Sequence, residues 1–119
     1  MSKGEEQIEY LLKKKRVKYI REKSFSDLRG GKLRYDFYLP DTQTLIENDG
    51  IQHFKFNSYF YASRKEFNHA KQNDYYKNSY ALAHGLKLYR IPYWELPNIQ
   101  FYSQIFQEKF LVTNKWWND

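Results

Sequence analysis

The stretch Tyr35–Phe54, YDFYLPDTQTLIENDGIQHF, constrains the fold most, because it sets acids and a histidine into sequence that otherwise reads as strand. In LRYDFYLP, Leu33, Tyr35, Phe37 and Leu39 alternate with Arg34, Asp36 and Tyr38, the period of a half-buried strand. Pro40 and Asp41 supply turn chemistry. QTLIEND follows as the antiparallel partner, with Leu45, Glu47 and Asp49 on one face and Gly50 ending it. Acidic residues are poor strand formers, and a buried carboxylate is costly unless something cationic offsets it. Asp36, Glu47, Asp49 and His53 therefore call for more than packing.

The flanking segments frame this pair of strands. SKGEEQIEYLLKKK reads as a helix, with Ser2 as N-cap, Glu5 and Glu6 in the first turn, and Lys13, Lys14 and Lys15 in the last. Ile8, Leu11 and Leu12 form its apolar stripe. VKYIREKSF reads as a strand and SDLRGGK as a turn with paired glycines. IQHFKFNSYFYASRKEF is an aromatic, basic loop running into the helix RKEFNHAKQNDYYKNSYALAH, which Gly85 closes. Tyr76, Tyr80 and Ala83 are spaced for the buried face of that helix. LKLYRI is a fourth strand stopped by Pro92. NIQFYSQIFQEKF reads as a C-terminal helix with the stripe Ile99, Tyr102, Ile105 and Phe106. The expected order is α-β-β-β-α-β-α in one domain over residues 1–119, with the core in 2–95 and the C-terminal helix and tail in 96–119.

A chain of 119 residues suits one core. That core must be aromatic-rich, given 12 Tyr, 9 Phe and 3 Trp. The absence of cysteine excludes disulfides and thiolate metal sites. No apolar run approaches the ~20 residues of a membrane-spanning helix, and the charged N-terminus is unlike a secretory signal. A cytoplasmic protein with no membrane partner is expected. The net charge of +6 favours a polyanionic partner, and Lys13–Lys23 concentrates seven positive charges against one negative.

Period two places Glu47 and Asp49 on one face, and pairing through the Pro40 turn brings Asp36 beside them. Three close carboxylates repel unless a hard divalent cation lies between them. Mg²⁺ suits one or two carboxylates, waters and phosphate oxygens. A metal site formed by Asp36, Glu47 and Asp49 is therefore expected, with Mn²⁺ able to substitute for Mg²⁺ and no organic cofactor. His53, just past the acidic strand end, can accept a proton from metal-bound water near pH 7.

These pieces, in this order, resemble the PD-(D/E)XK nuclease superfamily, in particular its branch of very-short-patch-repair endonucleases, their EDxHD homing-endonuclease relatives and small phage nucleases. The resemblance rests on SKGEEQI, LRYDFYLP, LIENDGIQHF, KQNDYYKNSYALAHG and LKLYRIPYWE, which cover most of residues 2–95. It implies a restriction-endonuclease-like αβββαβ core, a mixed sheet flanked by helices. It further implies a site of Glu5 (or Glu9), Asp36, His53 and Asp74. Where the superfamily carries an acid and a Lys two apart on the third strand, this chain has Glu47 and Asp49. Either His53 replaces that Lys or Lys55 swings in, and either Glu47 or Asp49 binds metal while the other orients His53.

The expected activity is Mg²⁺-dependent endonucleolytic hydrolysis of DNA. Lys77 either stabilises charge at the phosphorus or pairs with Asp74. Lys13, Lys14, Lys15, Arg16, Lys18, Lys55, Arg64 and Lys65 are candidate phosphate contacts. Phe54, Phe56, Tyr59, Phe60 and Tyr61 either contact bases or pack under the loop. The competing readings are a structure-selective repair or junction nuclease, and a silent nucleic-acid or protein-binding module on a nuclease fold. A homodimer is compatible with so small a chain, although no residue pattern marks a seam.

Overall fold

The computed structural model describes residues 1–54 and 61–114. Helix α1 (Lys3–Lys15) begins at Ser2, whose Oγ accepts the Glu5 N–H at 3.1 Å. It ends where Arg16 turns left-handed and donates its N–H to the carbonyls of Leu12 and Lys13. Ile8, Leu11 and Leu12 are buried as the stripe requires. Strands β1 (Ile20–Ser24), β2 (Arg34–Leu39) and β3 (Thr44–Asp49) run antiparallel in succession. Helix α2 (Arg64–Ala83) then crosses over and returns the chain as β4 (Lys87–Pro92), parallel to β3. The result is an α/β fold with a four-stranded mixed sheet in the order β1-β2-β3-β4. Among the described residues no helix is long and apolar enough to cross a membrane.

Each face of the sheet has its own core. Phe37, Leu39, Ile46, Tyr89 and Ile91 pack with α1 and with Ile99, Ile105 and Phe110 of the C-terminal segment. Tyr35, Leu45 and Leu88 pack with Leu28, Ala81 and Val112. Tyr35 was expected to share a face with Phe37 and Leu39, but it lies on the α2 side, its hydroxyl donating to the Lys77 carbonyl at 2.8 Å. The reason lies at Asp36. The β2–β3 register extends from Leu39↔Thr44 to Phe37↔Ile46. Beyond it, side chains replace the main-chain ladder. The Asp36 N–H donates to Glu47 Oε1 at 3.0 Å, and the Asn48 N–H donates to Asp36 Oδ2 at 2.8 Å. The strands splay there, and strict alternation fails.

The second helix also differs from its pattern. Its buried residues are Phe67, Lys77, Asn78 and Ala81, whereas Ala83 is exposed. Two polar side chains on the inward face hid the stripe from a hydrophobic count. A 3-10 turn at Tyr93–Asn98 follows β4, and the expected C-terminal helix is replaced by 3-10 turns at Tyr102–Phe106 and Glu108–Phe110. Gln104 Oε1 captures the N–H groups of Gln100 and Phe101 at 2.7 and 2.8 Å, starting a new turn, and extended Gln107 stops it. Ile99 and Ile105 are buried nonetheless. Leu111 and Val112 then cover β4, the Val112 N–H donating to the Leu88 carbonyl at 2.8 Å. That contact protects the outer edge of the sheet.

Candidate active site

Where β2 and β3 splay, three elements bring acids together. Glu5 comes from the first turn of α1, Glu22 from β1 and Asp36 from β2. One oxygen from each lies within 4.8 Å of the others. Glu22 stands across from Asp36, between the pairs Arg21↔Phe37 and Lys23↔Tyr35. It holds a φ of 53°, a left-handed conformation that a non-glycine residue rarely adopts within a strand. Arg21 neutralises part of this acidity, its guanidinium lying 2.5 Å from Glu5, 3.7 Å from Glu22 and 3.8 Å from Glu9.

Arg21 Nε donates to the Asp36 main-chain carbonyl at 3.4 Å, but among the described residues no cation forms an ion pair with the Asp36 carboxyl. Burial, and next the charge of Glu47, push its carboxyl up to about 8, against the Asn48 N–H that favours the charged form. Glu47 lies deeper, with a side-chain exposure of 4%, and Lys77 Nζ reaches it at 2.9 Å. Burial raises the Glu47 carboxyl, and the Lys77 charge opposes the rise. A cluster of hard carboxylate oxygens around Asp36, whose carboxyl has no ion-pair partner among the described residues, has the donor chemistry that Mg²⁺ or Mn²⁺ takes.

A second charge network adjoins it. Arg90 of β4 is buried and donates from Nε and Nη2 to the two oxygens of Asp49, at 2.9 and 3.0 Å. Its remaining donors reach Asn78 Oδ1 at 2.7 Å and Asp74 Oδ1 at 2.9 Å. Asp74 Oδ2 bonds His53 Nδ1 at 2.9 Å. Burial alone would raise the Asp74 carboxyl. The His53 hydrogen bond and the Arg90 charge overcome it and hold Asp74 well below the usual carboxylate range. Asp49, His53, Phe54, Lys71, Asp74, Tyr75, Asn78 and Arg90 line a cavity of about 230 Å³.

The seven candidate residues thus fall into two adjoining groups, Glu5, Asp36, Glu47 and Lys77 in one and Asp49, His53 and Asp74 in the other. Asp49, expected to share an ion with Asp36 and Glu47, is clamped by Arg90 through both oxygens. Of the two roles open to Lys77, pairing with Asp74 is not what forms; Lys77 pairs with Glu47. Glu9, the substitute for Glu5, instead accepts the Tyr19 hydroxyl at 2.8 Å.

Lys13, Lys14, Lys15, Arg16 and Lys18 are exposed around the end of α1, and Arg64 and Lys65 are exposed at the start of α2. Phe54 is exposed against Trp94, with ring centroids 4.8 Å apart, and Lys71 Nζ stands 5.4 Å from its ring centre. Tyr61 packs edge-on against Phe67. Lys55, Phe56, Tyr59 and Phe60 lie outside the described residues.

Sequence reasoning passed over Arg90, Asn78 and Glu22. Arg90 had a signal, being a lone guanidinium in the apolar strand LKLYRIP, where burial demands carboxylate partners. No family model, curated protein or solved structure matches this chain.

Proposed function

We propose that this chain is a metal-dependent DNA endonuclease with a restriction-endonuclease-like core. The observation that carries the reading is the setting of Asp36, a carboxyl withdrawn from water at the splay of two strands, beside Glu5 and Glu22 and, among the described residues, without an ion-pair partner for its carboxyl. Asp36 and Glu5 would hold a divalent cation, with Glu22 on the rim, and Glu47 supports Asp36 through its main-chain N–H. The cation would supply Lewis-acid polarisation of a phosphate and a more acidic water.

The chain's own groups supply the rest. Lys77 opposes the rise that burial imposes on the Glu47 carboxyl and brings positive charge to the floor of the site. Asp74 holds His53 through Nδ1, leaving Nε2 to exchange a proton with water. Arg90 fixes Asp74 from behind. The cationic end of α1 lies roughly 12 Å along the helix axis from Glu5, at a rise of 1.5 Å per residue. It offers the flanking DNA a grip on its phosphates while the acids face the scissile one.

The test is incubation with supercoiled plasmid and Mg²⁺ or Mn²⁺, with and without chelator. Metal-dependent conversion to nicked or linear DNA is the expected result. Plasmid left supercoiled with both metals overturns the reading, and retarded but uncut plasmid gives instead a binding module on a nuclease fold.

A further inference from the structure

Gly4 is the second residue of α1, and its backbone lies against the side chain of Asn48 on β3. A methyl group on Gly4 would sit 2.5 Å from Asn48 Nδ2 and 2.7 Å from Cγ and Oδ1, far inside van der Waals contact. The Asn48 side chain is not a loose end that swings away freely. Its Nδ2 donates to Ser2 Oγ at 3.3 Å, and its main chain is held in the β3–β4 ladder opposite Ile91. Among the described residues, Asn48 Oδ1 is a buried side-chain oxygen with no hydrogen-bond partner. A native fold tolerates such an oxygen only under some other constraint.

The two ends of Asn48 serve two sides of the acid cluster. Its side chain meets Ser2 and Gly4 at the start of α1, and its N–H donates to Asp36 Oδ2. Ser2 in turn caps the N–H of Glu5. We propose that the Gly4–Asn48 contact docks the first turn of α1 on β3 and so positions Glu5 to share one divalent cation with Asp36; this rests on the cation site of the nuclease reading. Gly4 is a positioning residue. It touches no substrate, and its missing side chain sets the distance between two carboxylates on different elements.

The ordinary alternative is that Gly4 is merely tolerated near a helix start. The two accounts differ in sign. Glycine is a poor helix former, so without the contact Gly4→Ala stabilises the protein. With the contact, the same change drives α1 and β3 apart.

The test is a double-mutant cycle on Gly4→Ala and Asn48→Ala, read by Mn²⁺ titration under electron paramagnetic resonance and by metal-free thermal melting. Gly4→Ala is expected to weaken Mn²⁺ binding by about 10- to 100-fold, as lost support for a metal ligand does, and to lower Tm. In the Asn48→Ala background the same change is expected to leave Mn²⁺ affinity within about twofold, because the coupled partner is gone, and to raise Tm. Asn48→Gln, which overfills the contact from the strand side, must reproduce the loss and serves if Gly4→Ala folds poorly. Gly4→Ala and Asn48→Gln binding Mn²⁺ like wild type overturns the positioning role alone, as does an equal loss from Gly4→Ala in both backgrounds. Wild type that binds no Mn²⁺ overturns the cation site and this role together.

Discussion

Lys77 of α2 and Glu47 of β3 meet at 2.9 Å with side-chain exposures of only 11% and 4%. Lys77→Met leaves Glu47 as a buried acid without its counter-charge and is expected to cost about 3–5 kcal/mol. Glu47 has a raised carboxyl already, and losing Lys77 raises it further. The folded variant then binds a proton that the unfolded chain has released, so its stability is present at low pH and lost as pH rises. Urea unfolding should show the deficit growing with pH, and the double variant Lys77→Met/Glu47→Gln recovering most of it.

Asp36 makes a related demand on the whole protein. Its carboxyl stands at about 8 in the folded state and at the ordinary 3.8 otherwise. Without divalent cations, stability should fall as pH rises between those values, by up to about 1.4 kcal/mol per pH unit from this single proton. Asp36→Asn should remove that slope. Mg²⁺ should flatten it too, because a cation on Asp36 replaces the proton. Melting curves in chelator across this range measure the effect, and identical slopes for wild type and Asp36→Asn would refute it.

Asp36→Ala is expected to abolish plasmid cleavage. DNA affinity should remain equal or tighten, because the change deletes a ligand and also an anion that repels phosphate. Fluorescence anisotropy alongside a cleavage assay separates the two. A variant that cuts normally with normal metal dependence would sink the proposed site.

His53→Ala is expected to slow single-turnover cleavage by about 10²- to 10⁴-fold, the contribution of a general base, without raising the Mg²⁺ concentration required. Asp74→Asn should share part of the defect, since it loosens the hold on Nδ1. A Lys55→Ala variant with the larger saturating defect would move the base from His53 to Lys55.

The exposed cations Lys13, Lys14, Lys15, Arg16 and Lys18 predict that DNA affinity falls steeply with salt. Charge-neutral replacement of Lys13 and Lys14 should lessen the slope of log affinity against log salt by roughly one unit per lost phosphate contact. A flat dependence in wild type would assign the charge to another purpose.

Much of this architecture is legible in the sequence, and the reasons are local. Ser2 and Glu5 announce the start of α1, and alternation in LRYDFYLP announces β2. Glu47 beside Asp36 follows from the short turn between two strands. The remainder depends on pairings that no local pattern carries. That Asp49 belongs to Arg90 depends on the parallel return of β4, which sets Glu47 opposite Arg90 and Asp49 opposite Pro92. The inward polar face of α2 escaped because Lys77 and Asn78 count as hydrophilic wherever they point. The C-terminal stripe has spacings that suit helix, but Gln104 spends its side chain on main-chain N–H groups and favours tight turns instead.

The clamp of Arg90 on Asp49 and Asp74 carries a consequence for the order in which the protein acquires its chemistry. During synthesis, Glu5, Asp36, His53 and Asp74 all leave the ribosome before Arg90. A nascent chain that stops short of β4 has no parallel neighbour for β3 and no guanidinium to hold Asp74 against His53. If the chain is the nuclease proposed, a form truncated before Arg90 is therefore expected to lack cleavage activity, because Asp74 loses the guanidinium that fixes it against His53.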